Sequence, residues 1–169
     1  PQSREAAIPA LWRCLRSENE NVWRRAAQVL PLVCDRRTDV KQQLLRLARR
    51  APSVQTAHAA LLSVGFGWTK DEDVGTIARK LRDSDHRGLC LEAIRIRAHR
   101  NETDSEDLDR FFATAYQRDR FFSDSFSAPD LAEHFAQHHR EAFAQKLETA
   151  ISEQTGERHH VKSLIGALF

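Results

Sequence analysis

Apolar residues recur at steps of three and four almost from the first position, the period of a helix buried along one face. Ile8, Leu11, Trp12 and Leu15 make the first stripe, and Ser3 is placed to cap it. Trp12, beside Ile8 and Leu15, is expected in the core. Asn19 to Asn21 read as a polar turn, followed by a second helix, Asn21 to Cys34, carrying Val22, Ala26, Ala27, Val29, Leu30 and Val33. Asp35 to Thr38 punctuate again, with Thr38 or Asp39 as caps for a helix that buries Val40, Leu44, Leu45 and Leu47. Pro52 suits the first turn of the next helix, where its missing N–H costs nothing. Gly65, Phe66 and Gly67 are expected to end that helix. Asp71 to Asp73 place acid at the start of a fifth helix, favourable to its dipole. Thr103 and Glu106 have capping-box spacing ahead of Leu108, Phe111, Phe112 and Ala115.

These stripes repeat. At a spacing of 32 residues, Val22, Val54 and His86 align, as do Ala27, Ala59 and Leu91, and Leu30, Leu62 and Ile94. They fall on second helices read as Asn21 to Cys34, Ser53 to Val64 and Asp85 to His99. Among first helices Ile8 matches Val40 and Leu15 matches Leu47. Steps of 34 then give Val74 and Leu81, and Leu108 and Ala115. Fixed spacing of this size is the signature of stacked supersecondary units. The fold class expected is all-α.

The stretches 21–33 (NVWRRAAQVLPLV), 53–64 (SVQTAHAALLSV) and, less closely, 86–96 (HRGLCLEAIRI) resemble HEAT and HEAT-like repeats. The resemblance covers about residues 1–116, some three and a half hairpins. Only Pro9 occupies the place of the proline usual in the first helix of such repeats. The resemblance implies a right-handed α-α superhelix of antiparallel helix pairs, with second helices lining a concave face, and binding of other macromolecules.

After residue 116 the pattern changes. The stretch 116–130 holds Phe121, Phe122 and Phe126 among Arg, Asp and Ser. It reads either as docking onto the last repeat or as an exposed recognition loop. A single long helix is expected from Pro129 to Glu153, with Leu131, Phe135, Ala142, Phe143, Leu147 and Ile151 as its stripe. Thr155 and Gly156 break it before a last helix bearing Val161, Leu164, Ile165 and Leu168. Residues 117–169 are thus read as an irregular helical part that packs on or caps the repeats.

Charge changes the picture locally. Residues 1–50 carry a net +6 and residues 101–169 a net −6, although the whole chain is only +2. Arg24, Arg25, Arg36, Arg37, Lys41, Arg46, Arg49 and Arg50 make the first part basic. Such a stretch attracts nucleic acid or an acidic protein. The chain has no Met and ends on an apolar stripe at Phe169, so it is read as a piece of a larger multidomain protein. Cys14, Cys34 and Cys90 lie in apolar helical patterns, as buried thiols do in a reducing, cytoplasmic setting. No apolar run is long enough for a membrane span.

Candidate chemistry is sparse. His134 and His138 share a helix face and could ligate a metal, but no third ligand is specified and no HExxH is present. His159 and His160 are expected near a turn. The Gly65-Phe66-Gly67 stretch before Lys70 lacks Walker A spacing. There is no GxSxG and no His-Glu dipeptide. The function expected is therefore macromolecular binding or scaffolding, without catalysis or cofactor, toward another protein or another domain of the same chain. Its candidate contacts are Trp23, Arg24, Arg25, Gln28, Gln55, Thr56, Trp68 and Arg95, with the tryptophans as aromatic anchors. The alternatives are nucleic-acid binding, including DNA glycosylase-like chemistry, and a metal-dependent enzyme using His134 and His138.

Overall fold

The computed structural model describes residues 2–115 and 128–153. The phenylalanine stretch up to residue 127, the break at Thr155 and Gly156, His159, His160 and the last apolar stripe lie outside the described residues. Among these there are nine α-helices and no strand. They are α1 Gln2–Cys14, α2 Glu20–Val33, α3 Thr38–Arg50, α4 Val54–Trp68, α5 Glu72–Leu81, α6 Arg87–His99, α7 Ser105–Ala115, α8 Ala128–His138 and α9 Arg140–Glu153. The protein is all-α.

Short polar caps set the boundaries. Asn19 accepts from the Asn21 amide at 3.0 Å, Ser53 from Thr56 at 3.2 Å, and His86 Nδ1 from Leu89 at 3.4 Å. Several expected caps sit elsewhere. α1 begins ahead of Ser3, and Thr38 is the first residue of α3. Pro52 precedes the cap Ser53. Thr103 and Glu106 do not form the box. Instead the Asp107 amide donates to Asp104 Oδ1 at 2.9 Å, and the Asp104 amide donates to Asp107 Oδ2 at 3.0 Å.

The capping residues also give the repeat its register. Asn19, Ser53 and His86 are 34 and then 33 residues apart, and so are Arg37, Asp71 and Asp104. This replaces the 32-residue step read from apolar positions alone. In the new register Ala26, Ala60 and Ala93 coincide, all buried. So do Leu44, Ala78 and Phe111 of the first helices. A methyl group at the recurring alanine lets second helices approach closely.

Packing follows chain order. α2, α4, α6 and α8 contact one another in succession, and each touches its own first helix. α3 touches α5, and α7 touches α9. α6 joins two core clusters. Its Leu89, Ala93 and Ile96 belong to a core shared with α2 to α5, and its Cys90, Leu91, Ile94 and Ala98 to a second core with α7, α8 and α9. Trp12 packs partly buried against the first core, as expected.

Two expected boundaries fail. α4 does not end at Gly65 but continues to Trp68. A Cβ on Gly65 would stand 2.9 Å from both Glu92 Oε1 and Arg95 Nη2, so this glycine serves close contact with α6 and not termination. The expected helix from Pro129 to Glu153 is two helices broken at His139. Phe135 lies 5.4 Å from Phe111 and Phe143 lies 5.3 Å from Phe112, while Phe111 and Phe112 are 5.6 Å apart. On one straight helix Phe135 and Phe143 would be about 12 Å apart along the axis. The break lets both rings reach neighbouring residues of α7.

Candidate binding surface

Half of the residues expected to bind are inside the fold. Trp23 is 4% exposed, its ring 5.0 Å from that of His58. Trp68 is buried and donates from Nε1 to the Arg36 carbonyl at 3.0 Å. Thr56 is buried, its hydroxyl 2.8 Å from Ser53 Oγ. Arg95 is buried, paired with Glu92 and lying 4.8 Å from the Phe66 ring centre. These four are therefore corrected from surface contacts to interior groups. The cause is the tight stacking of second helices, which leaves every α6 residue from Leu89 to Ala98 buried. Tryptophan anchors and an open α6 face are both lost.

The other four are more accessible. Arg24 pairs with Glu20 one turn earlier. Gln55 donates to the Ser17 carbonyl. Arg25 is exposed and Gln28 half-buried, with Arg25 Nη1 3.5 Å from Gln28 Oε1.

The basic stretch divides in two. Lys41 is held between Asp71, at 2.6 Å, and Asp73, at 3.1 Å, and the Asp71 bond raises its pKa. Arg37 pairs with Asp39. By contrast Arg13 and Arg16 near the end of α1, and Arg46, Arg49 and Arg50 on α3, are exposed. None of them has a carboxylate at ion-pair distance among the described residues. The order Gln42-Gln43-x-x-Arg46-x-x-Arg49-Arg50 puts these polar groups on one helical face, opposite Leu44, Leu45 and Ala48 in the core.

A groove of about 370 Å³ opens on this face, lined by Trp12, Arg16, Gln43, Arg46 and Leu47. Its floor is apolar and its rim cationic. A larger cleft of about 550 Å³ lies at the end of α4, lined by Arg36, Phe66, Trp68, Lys70, Arg95 and His99 among others. Several of its polar groups are engaged, while the exposed Arg36 side chain has no ion pair among the described residues. Lys70 donates to the His99 carbonyl at 2.6 Å, Trp68 to Arg36, and Arg95 to Glu92. Among the described residues Arg16 and Arg46, which line the α1–α3 groove, have no such partners.

The acidic end is largely occupied from within. Asp109 pairs with Lys146, and Asp83 with Arg110. Arg97, 5% exposed, donates from Nε to Asp107 at 2.8 Å and from Nη2 to Asp104 at 2.9 Å. Burial holds the Asp107 carboxyl above its ordinary range.

His134, His138 and His139 lie close together at the end of α8. The His134 and His138 rings lie 4.5 Å apart, tilted by 38°, and His134 Nε2 is 2.9 Å from the Thr103 hydroxyl. That hydroxyl is also 3.2 Å from His139 Nε2. Burial first, then the neighbouring His138, pushes the His134 pKa down to about 4. Among the described residues no group of three His, Cys, Asp or Glu could hold a metal ion. All three cysteines are free, and burial raises the Cys90 thiol pKa, the opposite of what activates a nucleophile. Among the described residues no helix is long and apolar enough to cross a membrane. No family model matches the chain, and no curated protein or solved structure matches it.

Proposed function

We propose that the chain is a protein-interaction module, a right-handed HEAT-like α-solenoid that binds an acidic protein, or an acidic domain of the same longer protein, on the outer face of α1 and α3. The ordered succession of second helices, with caps at a 34- and 33-residue register, supports the solenoid part. One observation carries the binding part. Arg16 and Arg46 line an apolar groove, Arg13, Arg49 and Arg50 are exposed close to them in sequence, and among the described residues none has a carboxylate at ion-pair distance. Exposed like charges repel one another and weaken the fold slightly, and an anionic partner relieves this. The face differs from the second-helix face first expected, because first helices stay open on their outer side.

Charge reversal tests the reading. The full chain should bind polyglutamate at low salt, less tightly as salt rises, and the Arg46→Glu/Arg49→Glu variant should not bind. Its circular dichroism should match that of the parent. Nucleic acid is the second reading, favoured by the same arginines. Duplex DNA bound more tightly than polyglutamate, with a steep salt slope, would decide for it. Absence of binding to either polymer at low salt removes both.

A further inference from the structure

We propose that the groove between Trp12 and Leu47 takes a single apolar side chain of a short acidic peptide segment, whose flanking carboxylates pair with Arg16 and Arg46. This rests on the reading that the α1–α3 face binds protein and names the chemistry of its partner. At about 370 Å³ the groove is near the small end of the usual range of ligand sites, roughly 300–1,000 Å³. That space has ample room for one anchoring side chain. Trp12 and Leu47 are both partly buried against the core, so their positions are fixed before anything binds. An apolar anchor seated there displaces water from the base of the guanidinium groups. Carboxylate pairs at the rim are then formed in a drier setting, where planar two-point contacts with arginine are strongest. Arg13, Arg49 and Arg50, exposed and close in sequence to Arg16 and Arg46, add long-range attraction.

A phosphodiester chain fits the same surface less well. Its anionic groups have no use for the apolar floor. Base stacking needs an open aromatic face, and Trp12 is half-buried and packed on the core.

Calorimetric titration of the full chain with two short peptides tests the inference. One is glutamate-rich with a central leucine, and the other has serine in place of that leucine. The leucine peptide should bind about tenfold more tightly, a difference of about 1.4 kcal/mol. Gln43→Trp fills the groove from its exposed rim without entering the core, and should erase that difference while leaving salt-dependent binding of both peptides. Arg16→Gln/Arg46→Gln should weaken both peptides together. Equal binding of the two peptides overturns the groove inference and leaves the acidic-partner reading standing. Absence of binding by either sinks that reading as well. Two other results also overturn the inference. One is self-association of the chain abolished by Gln43→Trp, which gives the groove to a second copy. The other is tighter binding of single-stranded DNA, lost in the same variant.

Discussion

The interior of this protein is unusually ionic, and single residues show what that implies. Arg97 stands among Asp104, Asp107 and the Glu102 carbonyl, with its side chain and that of Asp107 both out of water. Removing one partner of a buried pair leaves the other charge uncompensated, at a cost of about 3–5 kcal/mol. Arg97→Met is expected to lower stability by that amount in urea unfolding. Asp107→Asn should cost less, because burial already favours the neutral carboxyl. His58 carries a different consequence. Burial drives its pKa from 6.5 down to about 4, against the pull of Glu92. The folded protein therefore keeps the ring neutral while the unfolded chain takes up a proton below about pH 6.5. Stability is intact above that value and declines as pH falls toward 4, by about 1.4 kcal/mol per pH unit for this one group. His134 acts in the same direction. His58→Leu should flatten the decline between pH 6.5 and 4 in denaturant titrations at each pH. An unchanged slope would mean that His58 is protonated in the fold.

At the scale of elements, sequence and structure part where a residue has two possible uses. Glycine commonly ends a helix, so Gly65 and Gly67 looked like a stop. Both instead let other helices in, Gly65 against α6 and Gly67 against Pro31 of α2, where a Cβ would stand 2.7 Å from the proline ring. Only the neighbour decides between these uses, and the neighbour is absent from the local sequence. Gly65→Val is expected to force α4 and α6 apart and cost about 3 kcal/mol, as overpacking does, while helical circular dichroism stays nearly unchanged. The capping box shows the same ambiguity. Thr103 with Glu106 and Asp104 with Asp107 have identical spacing one residue apart. Arg97 settles the choice by holding the two aspartates, and this contact crosses between helices. The break at His139 was equally hidden, since the stripe of Leu131, Phe135, Phe143 and Leu147 fits one helix or two. It depends on where Phe111 and Phe112 stand.

For the whole molecule, helix count and order through α7 could be read from the apolar period. The register could not, because α4 and α6 are buried nearly all round and many alignments place apolar on apolar. Caps face solvent at helix starts and so report the step of 34 and 33. In that register Val29 and Leu32 of α2 match Ser63 and Phe66 of α4 and Ile96 and His99 of α6. Ser63 and Ile96 are fully buried, yet Val29 is 39% exposed, while Leu32, Phe66 and His99 are exposed alike. The proposed binding face was only partly legible for the same reason. Arg46, Arg49 and Arg50 stood out in the basic stretch and Arg13 and Arg16 did not, and which of the basic residues lacked partners depended on acids brought up from α5 and on which helix faces the stack leaves open. Position in the stack should then outweigh residue type. Val29→Gln and Leu32→Gln are expected to change stability by less than about 0.5 kcal/mol each, as open-surface changes do. Ile96→Gln, at the register position of Val29, should cost about 3 kcal/mol or more, because its amide enters a site with no water. Urea unfolding of the three variants measures this directly. Similar losses at Val29 and Ile96 would mean that the α2 face is covered, and that helix order does not set burial in this fold.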